Sequence, residues 1–213
     1  GVWNDITDAQ LRRIAKFCDE MTESLKKYHS LVGENHIFIG RTSNVGMMNS
    51  EMCFAHGATG PILRGSGVSW DLRKNRSYGL YDDLEFDVIV GEGVKGQIGD
   101  CYDRYWVRMM EMHESIKIIK QCLEGIEEGP IMGKVPKVLK VPAGEIYMRT
   151  ECARGELGYH LISDGGKTPY RLKVKSSCFT HVGMLPEVAK GQMIADFVAT
   201  IGSIDIVLGE VDR

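Results

Sequence analysis

No two of the six cysteines, at Cys18, Cys53, Cys101, Cys122, Cys152 and Cys178, are spaced as C-x-x-C. Closely spaced thiolates are what a structural zinc or an iron–sulfur cluster usually takes from one chain, so the spacing argues against a metal centre built within this sequence. A chain of 213 residues has no need of a disulfide scaffold, and scattered thiols favour free cysteines in a reducing compartment. Long apolar runs are missing too. None approaches the roughly 20 residues of a membrane-spanning helix, so membrane association has to come through partners. Nor does one sign of charge dominate: 26 Lys plus Arg stand against 29 Asp plus Glu, a net charge of -3, which leaves no field to draw nucleic acid or anionic lipid. The opening GVWNDITDAQ has neither the pattern of a secretory signal nor that of a transit peptide, and it lacks an initiator Met. Residue 1 is therefore expected to be a processing point or a fragment end.

Familiar catalytic signatures are absent as well. The glycine-rich stretch GATGPILRGSG lacks the Lys-Ser/Thr ending of a P-loop, and GEGVKGQIGD does not have G-x-G-x-x-G spacing, so neither reads as a nucleotide cradle. The second reads instead as a flexible turn onto a helix. His113-Glu114 is followed by Lys117 where a zinc protease needs its second histidine. No cysteine or hydroxyl carries a recognisable local nucleophile signature.

What is present is a set of strong periodic segments. From Thr7 to about Val32 apolar residues recur at three- and four-residue spacing, with Thr7 and Gln10 placed as a capping box and Gly33 as a stop, so an amphipathic helix is predicted. A shorter helix is predicted over Ser50–His56, ending at Gly57. The stretch from Gly57 to Lys74 reads as an ordered loop. A second long helix is predicted from Asp100 to about Leu123, with His113 inside its apolar stripe as a hydrogen-bonded core residue. Met132 to Pro142 is a connector without a period. Strands are expected at Glu145–Glu151, Tyr159–Ser163 and Tyr170–Lys175, the last two joined by the turn 164–167. A helix or helix pair is expected from Glu187 to about Ile201, and the tail GSIDIVLGEVDR closes the chain. This order implies an α+β fold.

Five segments, GPILRGSGVSWDLRK, YDDLEFDVIVG, GDCYDRYWVRMMEMHESIKIIKQCL, ARGELGYHLISDGGKTPYRLKVKS and GSIDIVLGEVDR, resemble in order the C-terminal half of the quinone-site subunit family of respiratory complex I. This is the 49 kDa family, whose bacterial members are called D subunits, and it is related to nickel–iron hydrogenase large subunits. The resemblance implies that residues 1–213 are that half, with a hydrogenase-like fold of a mainly helical core and a C-terminal β-hairpin region. It also implies that the N-terminal half is absent or on a separate chain. Where hydrogenases end in two metal-binding cysteines this chain has Val207 and Glu210, and valine offers a metal no lone pair.

The resemblance further implies that the vacated metal cavity serves as a quinone headgroup chamber in NADH:ubiquinone oxidoreductase, a proton-translocating enzyme. Asp205, Val207, Glu210 and Arg213 would be the wall residues, and this chain would bind no cofactor itself. A 4Fe–4S cluster would sit in a neighbouring subunit, with NADH and FMN elsewhere in the complex. The expected partners are the cluster-bearing subunit, the 30 kDa-type subunit, the quinone-channel membrane subunit and the missing half, with ubiquinone as substrate. The family's principal headgroup ligands belong to that other half, so the chain alone is not expected to reduce quinone. Arg64, Asp71 and Arg73 are expected to lock the glycine loop by buried pairing, with a place on the cavity floor as the alternative. The connector after Gly129 looks short for the family, which carries a further helical segment there. The wording SWDLRK and GDCYDRY suggests the matrix side of the mitochondrial inner membrane, with the bacterial plasma membrane as the alternative. A structural module of a related complex that binds no quinone is the competing reading.

Overall fold

The computed structural model describes residues 2–136, 138 and 140–212. Helix α1 spans Asp8–Tyr28, and its capping box forms as predicted: the Thr7 side chain accepts from Gln10 N while the Gln10 side chain accepts from Thr7 N. The helix then widens into a π-helical turn, His29–Gly33, where the Gly33 carbonyl accepts from the Tyr102 hydroxyl at 3.0 Å. Helix α2 (His36–Thr42), which periodicity does not announce, is capped by Asn35. Helix α3 occupies Ser50–His56 as predicted, with Gly57 left-handed at its C-cap.

The stretch expected to be a loop folds into two short helices, α4 (Gly60–Gly65) and α5 (Leu72–Asn75). Gly60, at φ 65°, starts α4 where its backbone abuts Gly155; a Cβ there would collide with the Gly155 backbone. The segment before the next helix is also tied down. Asp103 accepts from Gly93 N at 2.8 Å and Val94 N at 3.2 Å, and Asp100 accepts from Asn44 N at 2.8 Å, so buried carboxylates organise the expected flexible turn. Helix α6 (Cys101–Glu124) follows, with Asp100 as N-cap.

A three-stranded antiparallel meander comes next, in the order β1 (Gly144–Cys152), β2 (Gly155–Ser163), β3 (Arg171–Lys175). The last helices are α7 (Ser177–Val188), α8 (Ile194–Ile204) and α9 (Leu208–Val211). Helix α7 begins ten residues before the predicted start, because Ser176 caps it from a position that hydrophobic periodicity does not mark. The α+β expectation holds.

Two apolar clusters carry the packing. Cys18 and Leu25 of α1 meet Met109 and Ile116 of α6, and Met48, Cys53, Ile62 and Leu63 meet Met184 and Ile204 from the C-terminal helices. At about 25 cal/mol per Å² of apolar surface removed from water, burial in the second cluster is the main force joining the segment before the connector to the segment after it.

Candidate functional site

A cavity of about 930 Å³ opens between α2, α4, α6, α8 and the β1–β2 turn. Phe38, Tyr105, Met109 and Met112 give it an apolar wall, and five guanidiniums line it: Arg41, Arg64, Arg73, Arg108 and Arg154. Four of these have carboxylate partners. Arg41 pairs with Asp196 at 3.0 Å, Arg73 with Asp71 at 2.6 Å, and Arg154 with Asp205 at 3.2 Å. Arg64 is 2% exposed and sits among Glu111 at 2.6 Å, Glu151 at 2.9 Å and Asp71 at 3.5 Å. The expected Arg64–Asp71–Arg73 pairing is therefore present. Glu111 and Glu151 complete it from distant segments, and no local sequence signal connects them to the loop.

Burial opposes the charge on each member of this group, and the partners decide the outcome. Arg64 is pushed down by burial but raised overall by Glu111 and Glu151. The Asp71 carboxyl, raised by burial, falls below its usual range through the hydrogen bond from Arg73 and the field of Arg64. Glu151 stays raised, because burial outweighs Arg64.

Among the described residues, Arg108 is the lining guanidinium with no carboxylate at ion-pair distance. Its Nη1 donates to the carbonyls of Arg104 at 3.0 Å and Ser203 at 2.8 Å, its Nη2 to Ile204 O at 3.4 Å, and its Nε is buried without a partner. Burial lowers its pKa to about 10, with Asp205 raising it and Arg104 lowering it further. It remains a cation at neutral pH, fixed by the C-terminal end of α8.

The tail residues named from sequence divide. Asp205 lines the cavity, with a left-handed backbone at φ 55° as the C-cap of α8. That conformation is uncommon outside glycine, and here it turns the chain so that the carboxylate meets Arg154. Val207 stands 37% exposed just before α9 and outside the cavity lining. Glu210 points elsewhere: it accepts from Ser176 Oγ at 2.8 Å and Ser177 N at 3.1 Å, tying the tail to the start of α7. Burial pushes its carboxyl up, yet the bonds from Cys178, Ser176 and Ser177 hold it below its usual range. Arg213 lies outside the described residues. His181 is a buried ring that sequence reading passed over, and Arg104 and Arg108 appear there only as part of a helix. Among the described residues, no three His, Cys, Asp or Glu side chains gather as a metal would require.

The family model of the respiratory-chain NADH dehydrogenase 49 kDa subunit matches residues 1–140 and 133–213. The chain belongs to this family. It is 48% identical over 217 residues to the D subunit of the NADH-quinone oxidoreductase of Chlorobaculum tepidum, covering all of this chain and 54% of that protein. It is 45% identical to the corresponding D subunit of Clostridium beijerinckii, again over the whole chain and 56% of the relative. A D subunit of Symbiobacterium thermophilum, numbered 2 in that organism, is 50% identical over 190 residues, 88% of this chain and 48% of its own length.

The chain thus spans about half the length of the curated relatives it matches. These relatives are bacterial, and they lend no support to the mitochondrial placement suggested by SWDLRK and GDCYDRY. The alignment with the Clostridium protein runs over 213 residues and covers this whole chain, which leaves no room for an extra helix in the connector. A short connector is shared with that relative. Among the described residues, no helix is long and apolar enough to cross a membrane.

Proposed function

We propose that the chain forms part of the quinone-reduction chamber of a bacterial NADH-quinone oxidoreductase, as the C-terminal half of a hydrogenase-like subunit held at the membrane by partner subunits. Family membership supports the setting, and one feature carries the chemistry: Arg108, fixed by backbone carbonyls and with no carboxylate at ion-pair distance among the described residues, lines a cavity with an apolar wall of Phe38, Tyr105 and Met109. An apolar wall suits a quinone ring, and convergent polar groups suit its oxygens. Reduction adds two electrons and two protons to quinone. The electrons come from a 4Fe–4S centre in a neighbouring subunit of the complex, whose NADH and flavin sites also lie on other chains. As electrons arrive, negative charge develops on a quinone oxygen. A preorganised N–H donor with unneutralised charge stabilises that oxygen more than it stabilises the neutral substrate.

Asp205 then holds Arg154 at the same wall, Glu210 fixes the tail against α7, and Val207 stands on the segment between them; the role of Arg213 rests on the family resemblance alone. Coupling to proton translocation belongs to the assembled complex.

The test is Arg108→Gln in the assembled complex. Quinone reductase activity is expected to fall roughly 100-fold, as when an oxyanion donor is removed, while electron entry measured with an artificial acceptor stays normal. Arg108→Lys should recover only part of the loss, because an ammonium keeps the charge without the planar fork. Full quinone reductase activity in an assembled Arg108→Gln complex would sink the reading.

A further inference from the structure

The β1–β2–β3 meander has an unusual polarity. Its register pairs Ile146 with Leu161 and Leu161 with Leu172, and Met148 with Tyr159 and Tyr159 with Val174, so these six residues share one face. The opposite face carries Tyr147, Arg149 and Lys175 gathered on Glu156, and His160 against Glu145 at 2.6 Å. In an antiparallel sheet with one solvated side, the apolar face is the one that packs on a core. Here the polar face is the internally bonded one. On the apolar face Ile146, Met148, Tyr159 and Leu172 are 45–60% exposed.

A small three-stranded sheet with its apolar side open is marginal on its own and becomes stable when that side is packed. A face this apolar fits a permanent partner better than a transient contact, since permanent interfaces are the more apolar class. The relatives contain the needed material: 44–46% of the length of the Chlorobaculum and Clostridium proteins lies outside their match to this chain.

We propose that the face of Ile146, Met148, Tyr159 and Leu172 is the docking surface for the polypeptide that corresponds to that unmatched stretch of the relatives. The contact is apolar, sheet face against an apolar face of the incoming stretch, while on the opposite side Glu156 is already buried at 4% exposure. It is independent of the quinone reading, because none of these four side chains lines the cavity.

The experiment co-expresses the full chain with the part of the Chlorobaculum tepidum protein outside the match and asks whether the two co-elute. Co-elution is expected for the wild-type chain and for Lys173→Glu on the polar face, and its loss for the double variant Ile146→Lys with Leu172→Lys. Carbene labelling of the wild-type chain, alone and in the mixture, supplies a readout that does not depend on the variants folding: labelling at Ile146, Met148 and Leu172 should drop severalfold in the mixture. Absence of co-elution, or equal labelling in both states, overturns the proposal. So does sedimentation showing that the free chain dimerises through Leu172, which would assign the face to a second copy.

Discussion

His181 shows how one side chain can set a pH limit for the whole fold. The ring is 1% exposed, and Thr59 N donates to its Nε2 at 3.4 Å, so the lone pair is on Nε2 and the proton on Nδ1, which is buried with no partner among the described residues. Burial, with Arg108 and more weakly Lys175 adding to it, lowers the pKa from 6.5 to about 4 against the opposing influence of Thr59 and Glu210. Between those values the unfolded chain binds a proton that the folded one refuses, so stability rises with pH there. The contribution is complete above about pH 6.5 and is lost as pH falls towards 4, on the order of 3 kcal/mol in all. His181→Asn keeps an acceptor for Thr59 without a titrating ring, and its denaturant midpoint is expected to decline less than that of the wild type between pH 7 and pH 4.5. Parallel declines would mean that His181 does not set this limit. Periodicity could not reveal the residue's situation, because a histidine inside a helix looks alike in sequence whether its ring is solvated or walled in.

Elements whose signals are local were legible, and those held by distant partners were not. The Thr7 capping box, the Gly57 stop and the Asp100 cap each lie within a few residues of the helix they delimit, and α1, α3 and α6 appear where expected. Helix α4 runs through a glycine- and proline-rich stretch that reads as a loop; it is fixed by Arg64 reaching Glu111 and Glu151, 47 and 87 residues away. Helix α7 depends in the same way on Glu210, 34 residues beyond its Ser176 cap. Asp205 is singled out by the tail motif, and it lines the cavity. The Arg108 environment was not legible, since beyond the local Arg104 carbonyl its acceptors are backbone carbonyls 95 and 96 residues on.

The α7 arrangement makes a separable prediction for the tail. Glu210→Gln keeps an acceptor for Ser176 and Ser177 and should leave the midpoint of thermal unfolding close to that of the wild type. Glu210→Ala removes the acceptor and should cost about 1–2 kcal/mol, as lost caps and unmet buried donors do. If the glutamate acts by positioning the tail, the Gln variant also keeps most quinone reductase activity in the assembled complex. A Gln variant that is stable but inactive would instead give the carboxylate charge a direct role.

At the scale of the whole molecule, the described residues of the connector from Glu127 to Ala143 are largely exposed, while the segments on either side of it are joined through the core. The family model matches in two pieces that overlap within this connector, at residues 133–140. Across the divide, Arg64 meets Glu151, Arg104 meets Ser203 Oγ at 3.0 Å, and Met48, Cys53 and Ile62 pack with Met184 and Ile204. The connector is tied back by the bond from Val2 N to Ile131 O and by Ser163 donating to Val141 O. Cutting the chain there removes a covalent link but no buried contact, and loop closure grows only slowly with length, so the cut itself changes the interior little. Limited trypsin digestion is therefore expected to cleave first after Lys134 or Lys140, and the two products should stay together on size exclusion without denaturant. Replacing Arg64 with Met should separate them, because Glu111, Glu151 and Asp71 would be left buried around a neutral side chain, a loss of about 3–5 kcal/mol. Products that part company in the nicked wild type would show that the covalent connector, and not the buried contacts, holds the halves in register.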